Sequence, residues 1–257
     1  MGGVQRRMVG GTWDVGLIRQ MKPLLAILGM LGLALAMPPG ARAAERSGMK
    51  HILILGDSLS DGFTLNRNHA YPALLGQKLN AAGLDHFEIT NVSQSGGTTE
   101  DGAVNLSNSG LKKPIDIFVL ELGINDVFHG ATVDEIQANL QSIIDKVKTA
   151  NPKARIVVVG MEFPQFSGIE YVDEFQKMFA NLAEKNHAAL VPNLFKGVSG
   201  DRDLMLADGI HPNREGQKVF AKNVWEILEP VAREVAKGKS EAQTAKPEGS
   251  PKEPASR

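Results

Sequence analysis

The chain has 257 residues, 42% of them hydrophobic, which is enough apolar side chain for one sizeable core, and a formal net charge of −1. That balance lacks the clustered cations with which proteins grip a phosphate backbone, so no nucleic-acid partner is expected. With no cysteine anywhere, disulfides, thiolate metal sites, a cysteine nucleophile and a lipidated N-terminal cysteine are excluded.

Taken from the N-terminus, the first organised feature is an apolar run at 24–37. Lys22 precedes it, and Pro38-Pro39-Gly40 and Ala41-Arg42-Ala43 follow. Charged, apolar and small residues in that order read as a secretory signal, and the run is too short to span a bilayer comfortably as a permanent helix. Residues 1–43 are therefore expected to be a signal peptide, with the residues before Met21 read either as a misassigned start or as an extended n-region, and the protein to be periplasmic or secreted. Cleavage after Ala43 removes five cations (Arg6, Arg7, Arg19, Lys22, Arg42) and one anion (Asp14), shifting the formal charge to about −5, usual for a soluble domain. No membrane span is expected after processing.

Residues 44–237 are expected to form one domain. Apolar runs at 51–55, 87–91, 115–120, 155–160 and 189–191 are too continuous for half-solvated strands and suit strands covered on both faces. Between them, 71–82, 133–150 and 172–186 carry apolar residues at three- and four-residue steps, and Asn151-Pro152 stops the second of these helices. Alternating strands and helices predict a parallel sheet in a three-layer α/β domain with right-handed crossovers. A final helix is expected from about Asn213 or Arg214 to about Ala236. Beyond Lys237 the chain turns to Ser, Glu, Lys, Pro and Ala without apolar periodicity, so 238–257 is read as a disordered tail.

Ligands of open parallel sheets bind beyond the carboxyl ends of the strands. Gly56-Asp57-Ser58-Leu59-Ser60 follows the first strand, the stretch 93–98 the second and Gly123-Ile124-Asn125-Asp126 the third. Asp208-Gly209-Ile210-His211 precedes the last helix, whose packing would hold a carboxylate and an imidazole still. A serine hydroxyl is a weak nucleophile unless a base takes its proton, and the base works best when a third group fixes its tautomer. Ser58, His211 and Asp208 are candidates for these parts. Ser58 lacks the Gly-x-Ser-x-Gly frame of the α/β-hydrolase elbow. Neither a His-Glu-x-x-His pattern nor an internal repeat occurs.

Four blocks carry a resemblance: Gly56-Asp57-Ser58-Leu59-Ser60, Asn91-Val92-Ser93-Gln94-Ser95-Gly96-Gly97-Thr98, Leu122-Gly123-Ile124-Asn125-Asp126 and Ala207-Asp208-Gly209-Ile210-His211-Pro212-Asn213. In this order they resemble the GDSL or SGNH hydrolase family, within it the multifunctional bacterial thioesterase I, lysophospholipase and arylesterase subgroup. The similarity runs over about 51–231. It implies a flavodoxin-like α/β/α fold with a five-stranded parallel sheet, Ser58 as nucleophile, His211 as general base and Asp208 as its orienter. The backbone amides of Ser58 and Gly96 and the side-chain amide of Asn125 would form the oxyanion hole. The subgroup commonly has glycine where Ile124 stands, so Ile124 is expected to narrow the substrate pocket. Phe128, Phe163 and Phe166 are further candidate wall residues, with core packing as the alternative.

With the expected signal peptide, the resemblance implies an exported esterase cleaving small-molecule acyl esters or thioesters through an acyl-enzyme, with no metal or organic cofactor. Deacetylation of cell-envelope carbohydrate is the second expectation. A non-catalytic lipid-binding module is the third, disfavoured because such a module needs no base together with oxyanion donors.

Overall fold

The computed structural model describes residues 48–161 and 169–244. The expected signal peptide, residues 245–257 of the expected tail, and Phe163 and Phe166 lie outside the described residues. Five strands, β1 (Lys50–Gly56), β2 (Phe87–Asn91), β3 (Ile117–Glu121), β4 (Arg155–Val159) and β5 (Ala189–Val191), form one parallel sheet in the order β2-β1-β3-β4-β5. This is the flavodoxin-like order, with the switch point between β1 and β3. Strands β1 and β3 are buried at every residue, as continuous apolar runs in the middle of a covered sheet require.

Helices α1 (Ser58–Asp61) and α2 (Tyr71–Ala81) lie between β1 and β2, α3 (Thr99–Asn108) between β2 and β3, and α4 (Ile124–Phe128) and α5 (Val133–Ala150) between β3 and β4. Helix α6 (Ile169–Asn186) joins β4 to β5, and α7 (Arg214–Thr244) follows β5. Helix α2 packs with α7, while α5 packs with both α3 and α6. Right-handed crossovers send α2 to one face of the sheet and α3, α5 and α6 to the other, because the chain reverses direction across the sheet after β2. The core is continuous through both layers: Leu75, Leu79 and Phe220 on one side and Ile136, Ile143 and Phe175 on the other are fully buried, with the β1 and β3 side chains between them.

Helix ends follow from local chemistry. Thr98 and Asp101, and likewise Thr132 and Glu135, form reciprocal capping boxes that satisfy the first amides of α3 and α5. Helix α3 is absent from the periodicity reading because Gly102, Asn105, Ser107 and Asn108 dilute its apolar face and carry low helix propensity. Gly102 lets α3 pack closely there, since a Cβ would lie 2.3 Å from the end of the Leu122 side chain, which would have to shift. Helix α7 outruns its expected end near Ala236 and continues to Thr244, so the start of the expected tail is helical. Lys, Glu, Ala and Gln are good helix formers, and the next proline is Pro247. Among the described residues, no helix is long and apolar enough to cross a membrane.

Where β4 ends, Gly160 approaches the chain leaving β5: its amide donates to Val191 O (2.8 Å), and a Cβ would lie 2.7 Å from Pro192 O and 3.0 Å from Val191 O. Both obstacles are backbone, so relief requires the strands' ends to separate. Gly160→Ala is expected to lower stability by about 1–3 kcal/mol, read as an earlier urea midpoint. An unchanged midpoint would contradict this packing.

Candidate active site

Strand β1 ends at Gly56, and Asp57 caps the four-residue helix α1 by accepting from the Leu59 amide at 2.9 Å. This turn places Ser58 at the carboxyl edge of the sheet, 6% exposed. The loop before α7 reaches the same place. Its base is an antiparallel bridge between Met205 and Pro212, reinforced by the Leu206 amide donating to His211 O (2.8 Å). Asn213 locks it further, donating to Asp203 O (2.8 Å) while its own side-chain oxygen accepts from the amides of Glu215 (2.9 Å) and Gly216 (3.2 Å) at the start of α7. Gly216 must be glycine, since a Cβ would meet Leu204 O at 2.2 Å.

On this loop Asp208 accepts the amides of Ile210 (2.9 Å) and His211 (3.0 Å) through one oxygen and meets His211 Nδ1 at 2.8 Å through the other. His211 Nε2 lies 2.9 Å from Ser58 Oγ. An ionised carboxylate can only accept, so Nδ1 carries the ring proton and the Nε2 lone pair faces the Ser58 hydroxyl. Burial alone would raise the Asp208 carboxyl, but the amides and the ring of His211, with the Ile210 amide, bring it below its ordinary value and keep it ionised. The structure thus brings Ser58, Asp208 and His211 together.

Gly96 sits at φ +78°, and a Cβ there would point into open space rather than into protein. The glycine serves a left-handed turn and leaves an approach to its backbone open. Asn125 lies in α4, with its side-chain amide donating to Gly97 O at 3.0 Å. That bond orients the amide beside the Gly96-Gly97 turn and leaves its second N–H available. Asp126, buried at 5% exposure, accepts from the Thr99 amide (3.1 and 2.9 Å) and hydroxyl, and Asn139 donates to that hydroxyl at 3.0 Å. Asp126 thereby ties the Asn125 turn to the start of α3.

Ile124 departs from its expected role. It is 4% exposed and belongs to the core. It therefore offers almost no surface to a substrate. Phe128, another expected wall residue, ends α4 at 47% exposure. Phe63, not singled out from the sequence, stacks on the His211 ring with centroids 4.1 Å apart. Its signal was an aromatic residue just after the Gly56–Ser60 block.

A buried polar cluster lies beneath Ser58. Ser60 donates to Glu121 Oε2 (2.6 Å) and lies 2.6 Å from the Tyr71 hydroxyl, and the Asp57 amide also points at Glu121 Oε2 (3.4 Å). Asp57, Ser60, Tyr71 and Glu121 are all fully buried. Among the described residues, Asp57 Oδ2 and Glu121 Oε1 have no hydrogen-bond partner. Burial, with a contribution from the nearby Asp126 charge, pushes the Asp57 carboxyl up to about 7 despite the Leu59 amide. Burial and Asp57 likewise raise Glu121 well above its ordinary value. Among the described residues, no group of three or more His, Asp or Glu is placed to hold a metal ion.

A carboxyl whose folded-state value is raised binds its proton more tightly folded than unfolded, so its contribution is present in acid and lost as pH rises from about 4 through about 7. Asp57→Asn keeps the oxygen that caps α1 and removes the ionisation. The variant is expected to gain stability relative to the parent above pH 7, on the order of 2–4 kcal/mol, and little at pH 4. Urea unfolding at the two pH values checks this, and an equal effect at both would contradict it.

Residues 54–219 match the GDSL-like Lipase/Acylhydrolase family. The chain is 31% identical to esterase TesA of Pseudomonas aeruginosa over 187 residues, covering 73% of this chain and 92% of that protein. It is 33% identical to the thioesterase 1/protease 1/lysophospholipase L1 of Escherichia coli over 181 residues, 70% of this chain and 84% of the other. Among solved structures, a crystal structure of TesA superposes with a TM-score of 0.67 at 32% identity, covering 71% of this chain and 99% of that one. With the parallel sheet and the four sequence blocks, these likenesses identify the chain as a member of the GDSL-like lipase/acylhydrolase family and a hydrolase acting on esters.

Proposed function

We propose that the protein is an exported serine esterase that cleaves acyl esters or thioesters through Ser58, His211 and Asp208. The observation that carries this reading is the continuous relay from Ser58 Oγ to His211 Nε2 (2.9 Å) and from His211 Nδ1 to Asp208 Oδ2 (2.8 Å). In this reading Ser58 Oγ attacks the acyl carbon while its proton passes to Nε2, and the same proton then goes to the leaving oxygen or sulfur as that bond breaks. Water, deprotonated by His211, releases the acid from the acyl-enzyme. Asp208 stabilises the imidazolium formed in each half-reaction.

The carbonyl oxygen gains nearly a full negative charge at the tetrahedral stage. The amides of Ser58 and Gly96 and the free N–H of Asn125 are assigned to it. Donors fixed in advance stabilise that charge more than they stabilise the neutral ester. Ester, thioester and lysophospholipid substrates are supported by the names of the similar proteins, which include an esterase, a thioesterase 1/lysophospholipase L1 and an arylesterase from Vibrio mimicus. Export is supported by the apolar run at 24–37 with its basic and small-residue flanks.

The test is hydrolysis of nitrophenyl esters from acetyl to long acyl. Ser58→Ala is expected to lower kcat by on the order of 10⁴-fold or more, and Asn125→Ala by about 10²–10³-fold with KM little changed. Full turnover by Ser58→Ala would overturn the assignment.

A further inference from the structure

The relay leaves one aromatic side chain at the site without a role. Phe63 stacks on the His211 imidazole, with ring centroids 4.1 Å apart and planes inclined by 24°, yet it remains 37% exposed. Large apolar side chains this exposed are few among the described residues, the others being Met49, Val104 and Phe128.

The backbone is shaped to hold it there. The amides of both Gly62 (3.0 Å) and Phe63 (3.1 Å) donate to the carbonyl of Ser58 itself, so the ring is carried on the residue that bears the hydroxyl. Gly62 turns at φ +81°, and a Cβ there would meet Ala70 Cβ at 2.7 Å. Thr64 then sits at φ +60°, a conformation that costs a β-branched residue about 1–3 kcal/mol and persists only where the surroundings enforce it. The amide of Leu65 closes the turn on Gly62 O at 2.8 Å. A strained turn thus fixes an exposed ring against the imidazole.

We propose that Phe63 forms the wall of the leaving-group subsite and sets a preference for esters of aromatic and other flat, apolar alcohols. The proposal rests on the reading of Ser58 and His211 given above. In acylation the Ser58 Oγ–carbon bond forms, the bond from carbon to the leaving oxygen breaks, and that oxygen receives the proton from Nε2. It must then lie within hydrogen-bond reach of Nε2, about 3 Å. Whatever group the oxygen carries starts beside the imidazole and beside the ring stacked on it. In deacylation the alcohol has departed and water takes its place, so Phe63 can no longer discriminate. Its influence should therefore fall on acylation alone and depend on the alcohol rather than on the acyl chain.

The experiment compares phenyl acetate with ethyl acetate, which share one acyl group, using the full chain and its Phe63→Ala, Phe63→Leu and Phe63→Tyr variants. For phenyl acetate, kcat/KM is expected to fall on the order of 10-fold in the Ala and Leu variants, the scale of a lost aromatic pair, and to be retained in the Tyr variant. For ethyl acetate the loss should stay under about 2-fold. The acidic limb of the pH profile and the deacylation rate after a nitrophenyl acetate burst should not move. Equal losses for both esters, or a shifted acidic limb, would make Phe63 only a support for His211 and overturn the proposal. An altered acyl-length preference would also overturn it, by placing the ring on the acyl side. Wild-type protein that is folded but inert toward every ester would instead defeat the underlying reading, and this proposal with it.

Discussion

The Glu121 carboxyl occupies the space beside Gly56 where any other residue would carry a Cβ, and such an atom would lie 2.4 Å from Oε2, 2.5 Å from Ser60 Oγ and 2.8 Å from Glu121 O. Gly56 and Glu121 are register partners on the two central strands, so this close approach is built into the pairing of β1 with β3. It decides how the chain leaves β1. The hydroxyl of Ser60 reaches Oε2, the amide of Asp57 faces it, and Ser58 is held between these two anchors at the sheet's edge. Among the described residues, no cation pairs with Asp57 or Glu121. Two buried carboxyls without a counter-ion are tolerable only if protons replace it, which is the direction in which burial drives both groups.

The remaining connections to the site are made largely by uncharged amides. Asn91 at the end of β2 donates to Ser60 O (2.8 Å), and Gln217 on α7 donates to Leu59 O (3.1 Å) while accepting the Tyr71 amide (2.7 Å). Asn125 reaches Gly97 O, and Asn213 closes the loop bearing Asp208 and His211. A carboxamide offers both donor and acceptor without the desolvation penalty of an ion, so it can satisfy irregular backbone where elements meet. Asn91, Gln217 and Asn125 join elements far apart in sequence, while Asn213 ties its own loop to the start of α7. These bonds to backbone act together with the side-chain contacts of Ser60, Asp208 and Phe63 to hold the hydroxyl and the imidazole.

Much of this was legible in the sequence. Continuous apolar runs marked the five strands, and Val133–Ala150 was legible to the residue because its apolar stripe and Asn151-Pro152 stop agree. Asp208 and His211 were legible because they stand three residues apart before a strongly amphipathic helix. Other features were hidden for physical reasons. The apolar signal of α3 was weak, though its capping box was readable in Thr98 and Asp101. Glu121 looks in sequence like the polar end of a strand, and only the sheet register reveals that it is buried against Gly56. Phe63 and His211 are almost 150 positions apart, and no periodicity relates a ring on one turn to a ring on another.

Ile124 illustrates why a bulky residue beside a reactive group need not obstruct it. In the sequence it precedes Asn125 directly and suggests a narrowed pocket. In the fold, Gly123 adopts φ +125°, and a Cβ at Gly123 would already crowd Ile136 at 3.1 Å. The next side chain lies in the core, where Ile124 contributes buried apolar area of the kind worth about 1.5–3 kcal/mol for a fully buried side chain. The volume added at position 124 is therefore absorbed by the core layer under α4. The amide of Asn125, on the following residue, keeps its bond to Gly97 O, so stability is gained from a side chain adjacent to the polar machinery without altering the direction in which that machinery points.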